Sequence, residues 1–215
     1  MNIIEHVGKY TTLVYQALQP AEKKKVYYQQ IIYEMYELGI KSIPFVAFVS
    51  IFVGAILTLQ TSANIKNPLI PKYLVGFATR ESIMVEFSPT IISLLLAGKI
   101  GSNIASGIGT MRVTEQIDAL EIMGVNSAGY LIYPKIVALM LINPFIISLS
   151  IIIGVGGGWL AALMTGSTTY VQFIEGIQWD FNMMKYIYAM VKTILFAFLL
   201  QQFQLITDII RLEVH

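Results

Sequence analysis

Between Lys41 and Lys66, and again from Ile136 to Ile174, the chain carries no charged side chain. Charge-free apolar stretches of this length constrain the fold more than any other feature. Each exceeds the roughly 20 residues a helix needs to cross a bilayer. In lipid every backbone N–H and C=O must be satisfied within the segment, so such stretches become helices. Ile43–Leu59 is the first expected span. Ser88–Met111, with Lys99 as its one charge, is the second. Ile136–Leu163 is the third, long enough to be tilted or bent, with Pro144 favouring a kink. Tyr186 to about Leu205, containing Lys192, is the fourth. The expected fold is therefore an all-α polytopic membrane protein, read as one domain over residues 1–215 with the membrane bundle at 41–205.

Composition agrees. Of 215 residues 56% are hydrophobic and 13% charged, and mean hydropathy is +0.68, values of the membrane class. A net charge of +1 gives no basic field for nucleic acid. Cysteine is absent, which removes disulfides, thiol catalysis and cysteine metal sites. His6 and His215 are the two histidines, so no His-ligated metal is expected. The opening Met1-Asn-Ile-Ile-Glu-His lacks the basic and apolar regions of a cleavable signal peptide.

Ahead of the spans, Ile3, Val7, Tyr10, Val14 and Ala17 recur at helical spacing up to Pro20. The pattern fits a helix in the membrane interface or a soluble surface helix, and the neighbouring spans favour the interface. A second helix, about Ala21 to Ile40, carries Lys23, Lys24 and Lys25 and leads into the first span. These lysines, with Lys9, Lys41, Arg112 and Lys135, outnumber Lys66, Lys72 and Arg80 on the other side. The excess places the N-terminus and the Arg112 loop in the cytoplasm.

Small residues repeat every four positions at Ala97, Gly101, Ala105 and Gly109, with Gly98 alongside, and at Gly154, Gly158, Ala162 and Gly166. In lipid such spacing lets helix backbones approach closely, within one chain or against a second copy. After Met111 the character changes. Thr114 is the expected N-cap of a short helix over Thr114–Met123, with Glu115 and Asp118 near its start and Glu121 further on. Gly124 is its expected left-handed C-cap. A short, charged cytoplasmic helix between two spans fits a plug for a partner's groove better than a plain solvated connector. Asp118-Ala-Leu, then Gly124, loosely echoes the Glu-Ala-Ala loop by which importer permeases dock onto ATPases.

The run Glu86-Phe-Ser-Pro89, Leu94-Leu-Leu-Ala-Gly-Lys-Ile-Gly-Ser102, then Gly109-Thr-Met-Arg-Val-Thr-Glu-Gln-Ile-Asp-Ala-Leu-Glu-Ile-Met-Gly-Val125 resembles the MlaE-like permeases of bacterial lipid ABC transporters. The similarity extends from the N-terminal helix to about Phe198. It implies a homodimeric permease bound by two cytoplasmic ATPases, which hold ATP and Mg, and by a periplasmic MCE-type lipid-binding protein. Phospholipid would move between inner and outer membranes, with no cofactor held by this chain. The 114–123 helix would be the coupling helix, with Arg112, Thr114, Glu115, Asp118, Glu121 and Met123 facing the ATPase. Glu86, Lys192 and Lys99 match positions where the family carries charge, Glu86 and Lys192 in its lipid cavity. Charges at membrane depth are functional candidates, although Glu86 and Lys192 could also snorkel and Lys99 could bridge helices.

Where the family has a fifth span, this chain has Gln201 to His215. Codons permitted for Gln204–His215, read out of frame, give Ala-Tyr-Tyr-Gly-Tyr-Tyr-Lys-Ala-Gly-Gly-Ser, which resembles the family segment. A frameshifted or truncated product is the expectation. The outer segment Thr168–Asp180, with Tyr170 and Trp179, reads as an interfacial anchor or a short helix meeting the periplasmic partner.

No Gly-x-x-x-x-Gly-Lys-Ser/Thr loop is present, because Gly98-Lys99 is followed by Ile100. Nor do a Ser/His/Asp set or paired carboxylates assemble, so no catalytic residue is assigned and ATP hydrolysis falls to a partner. A permease for a small solute would need more polar spans, and a truncated membrane scaffold would need no coupling helix.

Overall fold

A computed structural model describes residues 24–65, 69–124, 130 and 133–213, with side chains left undescribed at 24–26, 108, 121 and 200–213. Every regular element among these residues is helical. Helix α1 is Lys24–Glu34, followed by a π-helical turn, Met35–Gly39, and a 3-10 turn, Ile40–Ser42. Next come α2, Ile43–Asn64, and α3, Tyr73–Ser82. A π-helical segment, Ile83–Ile92, runs on into α4, Ser93–Val113. The remaining helices are α5, Gln116–Ile122; α6, Tyr133–Thr165; α7, Tyr170–Gln178; and α8, Met183–Glu213.

Three helical runs, Tyr27–Asn64, Tyr73–Val113 and Tyr133–Thr165, are long and apolar enough to cross a membrane. The chain is an all-α, multi-pass membrane protein. The fourth expected span falls in α8, and the amphipathic stretch from Ile3 to Ala17 lies outside the described residues. At about 1.5 Å per residue, the 33 residues of α6 extend about 50 Å, more than the roughly 30 Å hydrocarbon core. It passes through Pro144 and stops at Gly166, whose φ of 63° is the left-handed value of a C-terminal cap.

The start of the second membrane run differs from the sequence expectation. The stretch carrying Lys72 and Arg80, expected as an outer loop, is helix α3 and joins the second span without a break. Glu86 therefore lies inside a helical run instead of opening one. The expected span began only after Glu86, whereas the helical run continues back through Arg80 and Glu81, whose charges neutralise each other on the helix. The π segment has its cause in Pro89. Proline supplies no N–H, so the α-helical bond to the Val85 carbonyl cannot form, and the ladder widens around it.

The chain divides into two compact units: residues 1–41, 97–142 and 197–215 form the first, and 42–96 with 143–196 form the second. In the second unit, α2 and α6 touch backbone to backbone. A Cβ on Gly54 would overlap the Gly154 carbonyl, and one on Gly158 would strike the Thr58 hydroxyl. Buried hydroxyls link α2 and α6 to each other and to the run of α3 and the π-helical segment. Ser150 shares hydrogen bonds with Ser50 at 2.9 Å and Ser88 at 3.0 Å, and Thr58 bonds Thr79 at 3.1 Å. Between apolar helices in lipid, close contact and hydroxyl bonds replace the hydrophobic drive. Helix α7 packs on α3 in the same manner: a Cβ on Gly76 would meet the Phe173 carbonyl, and one on Gly176 the Tyr73 carbonyl.

Candidate functional site: the short helix and the membrane charges

The short helix begins two residues later than expected. The Thr114 hydroxyl points back, donating to the Thr110 carbonyl at 2.8 Å, so it closes α4 instead of capping α5. Glu115 makes the break. Its φ of 56° is left-handed, and its carbonyl accepts the first α5 bond, from Ala119 N–H at 3.0 Å. Helix α5 is thus seven residues, Gln116–Ile122, not Thr114–Met123. Gly124, at φ 74°, takes the expected left-handed position after it. A non-glycine residue held at positive φ is strained, and such strain persists where the surroundings impose it.

The polarity of α5 is divided. Ile117 is buried, while Asp118 and Glu115 are exposed. Val113, Ile122 and Met123 are exposed at 85%, 87% and 68%, an apolar surface interleaved with the acids. Arg112 is exposed in the last turn of α4, where a cation complements the helix dipole. Glu121 lies on α5, with its side chain outside the described residues.

The three candidate membrane charges make different contacts. Lys192, half-buried on α8, donates to the Val85 carbonyl at 3.3 Å. Pro89 has no N–H to donate to this carbonyl, and the ammonium ties α8 to the π-helical segment at that point. Glu86, the next residue, is exposed, and the two side chains form no ion pair among the described residues. Lys99 sits in the first unit, its Nζ 3.2 Å from the Lys41 carbonyl, as a bridge between helices.

The small-residue repeats also divide. Gly154 and Gly158 pack against α2 within the chain. A Cβ on Gly98 or Gly109 would meet no atom within 4 Å, so that face of α4 is open among the described residues, with Ala97, Gly101 and Ala105 half-buried beside it.

Sequence reasoning missed one cluster. Arg80 is 3% exposed and donates to the carbonyls of Ile177 at 2.6 Å and Trp179 at 3.0 Å. Those carbonyls close α7, where no intrahelical donors remain. Its guanidinium also pairs with Glu81 and lies over the rings of Phe77 and Phe181. Lys185 completes the cluster with a 2.8 Å ion pair to Glu81, tying α3, α7 and the start of α8 together. The available signal was two adjacent opposite charges in an otherwise apolar run. The segment Thr168–Asp180 proves to hold this capped helix, with Thr169 and Gln172 forming a capping box.

A family model described as Permease MlaE matches residues 31–206. A probable ABC transporter permease protein of Rickettsia bellii is 31% identical over 184 residues, covering 82% of this chain and 71% of the relative. The intermembrane phospholipid transport system permease protein MlaE of Haemophilus influenzae is 24% identical over 195 residues, covering 89% and 73%. The chloroplastic protein TRIGALACTOSYLDIACYLGLYCEROL 1 of Arabidopsis thaliana is 30% identical over 138 residues, covering 64% and 39%. The chain belongs to the MlaE permease family of ABC transporters. The family match contains all of the quoted motifs, from Glu86 to Val125.

Proposed function

We propose that this chain is the membrane permease of a phospholipid-transporting ABC system, moving lipid between the inner and outer membranes of a diderm envelope. Two copies span the inner membrane with the N-terminus in the cytoplasm, as the lysine excess ahead of the first span favours. A pair of cytoplasmic ATPases binds ATP and Mg and supplies the energy, and a periplasmic MCE-type lipid-binding protein exchanges lipid on the outer side. The observation that carries this reading is α5 itself. A seven-residue helix carrying the exposed Asp118 and Ile122, and flanked by exposed Val113, Glu115 and Met123, stands between two membrane-length runs in a chain of an ABC permease family.

Closure of the nucleotide-loaded ATPase dimer pushes α5 and shifts the helices on either side, opening or collapsing a lipid cavity near Glu86 and Lys192. Glu86 is exposed and free of a counter-ion among the described residues, so it can meet a cationic or zwitterionic headgroup. Lys192 keeps the neighbouring backbone in register through the Val85 carbonyl and has further donors for phosphate.

Purification from the native membrane tests this reading. The wild-type chain should bring down an ABC ATPase and phospholipid together. Asp118→Lys reverses an exposed charge on α5 and should lose the ATPase while keeping the lipid. Unchanged ATPase recovery with Asp118→Lys contradicts the coupling role.

A further inference from the structure

The two helices that flank α5 in sequence are fastened to one and the same stretch, the elbow Lys24–Ser42. From α4, Lys99 Nζ donates to the Lys41 carbonyl at 3.2 Å. From the start of α6 come three contacts. Tyr133 meets Tyr27 edge to face, with centroids 5.6 Å apart. Lys135 forms an ion pair with Glu34. Ile142 crosses at Gly39, where an added Cβ would come within 2.5 Å of its Cγ1. Glu34 is only 8% exposed. A carboxylate so placed costs much free energy without its partner, and a shielded pair resists separation more than an exposed one.

Just after Glu34 the elbow leaves α geometry, first as the π turn Met35–Gly39 and then as the 3-10 turn Ile40–Ser42. Non-α turns within a long helix often mark a hinge. The firmly held part and the deformable part are therefore adjacent.

We propose that Glu34 and Lys135 are positioning residues for energy coupling. They bind the start of α6 to the elbow, so that displacement of α5 is delivered to the elbow and bends it at Met35–Ser42. This rests on the transport reading, because it presumes an ATPase that moves α5. The elbow then acts as a driven part, not as a passive membrane anchor.

The test uses the permease assembled with its ATPase in vesicles of phosphatidylethanolamine and phosphatidylglycerol. The chain has no native cysteine, so Ile40→Cys, at an exposed hinge position, carries a single environment-sensitive fluorophore. Nucleotide should change its emission. Glu34→Gln and Lys135→Met should each reduce that change about tenfold, the size of a typical coupling between sites. The reversed pair, Glu34→Lys with Lys135→Glu, keeps both charges and should restore the response to within about twofold. Equal response in Glu34→Gln and wild type overturns the proposal, as does a wild-type elbow that ignores nucleotide or a reversed pair that stays silent. An elbow that responds without any lipid being moved overturns the transport reading alone.

Discussion

Gly54→Ala should unfold or severely loosen the second unit. The new methyl group would land on the Gly154 carbonyl oxygen, a backbone atom in the middle of α6 that has no rotamer by which to leave. Adjusting requires α2 and α6 to separate, which strains the Ser50–Ser150 hydroxyl bond between them. Overpacking costs roughly 1–3 kcal/mol and sometimes more; with backbone as the obstacle the upper end is expected. Gly98→Ala is the matched control, because its Cβ enters open space. There the better helix former should be neutral or stabilising by up to about 1 kcal/mol. Thermal melts of both variants in detergent decide the matter. A Gly54→Ala melt equal to wild type would show that the two backbones are not in contact.

The second large effect is expected at Arg80. Arg80→Met keeps much of the apolar stem but removes every donor to the end of α7 and half of the Glu81 neutralisation. Removing one partner of a buried ion pair costs roughly 3–5 kcal/mol. Lysine is a poor replacement, since one compact ammonium cannot span the Ile177 and Trp179 carbonyls and the Glu81 carboxylate as a planar fork does. Hydrogen exchange should therefore show Tyr170–Gln178 losing protection in both Arg80→Met and Arg80→Lys, with α2 and α6 less affected. Wild-type protection of α7 in Arg80→Met would mean that the glycine crossings at Gly76 and Gly176 hold the helix unaided.

How much of this was readable beforehand varies with the physics involved. Long uncharged runs are decided by the bilayer, so the helices holding Ile43–Leu59 and Ile136–Leu163 were visible in the sequence, as was the left-handed turn at Gly124. Helix α3 was hidden because Arg80 and Glu81 read as loop charges, and their mutual pairing and burial against α7 depend on segments almost 100 residues further on. Thr114 has the right chemistry for an N-cap, but a threonine hydroxyl serves a helix end on either side, and the strained Glu115 leaves no sequence signature. Glycine spacing marked surfaces fit for close contact without saying which were used: Gly154 and Gly158 meet α2, whereas Gly98 and Gly109 remain open. Lys192 stood out as a charge at membrane depth, and its bond to the Val85 carbonyl required the fold.

In the proposed function, lipid occupies the face where the Pro89-bearing π segment meets Lys192. Photo-reactive residues at Phe87 and Val191, flanking Glu86 and Lys192, test it directly in membranes containing the assembled transporter. Phospholipid adducts at both positions, changing in yield when ATP is supplied, are the predicted result. Absence of any lipid adduct at either position, with the protein folded and the ATPase bound, would contradict it.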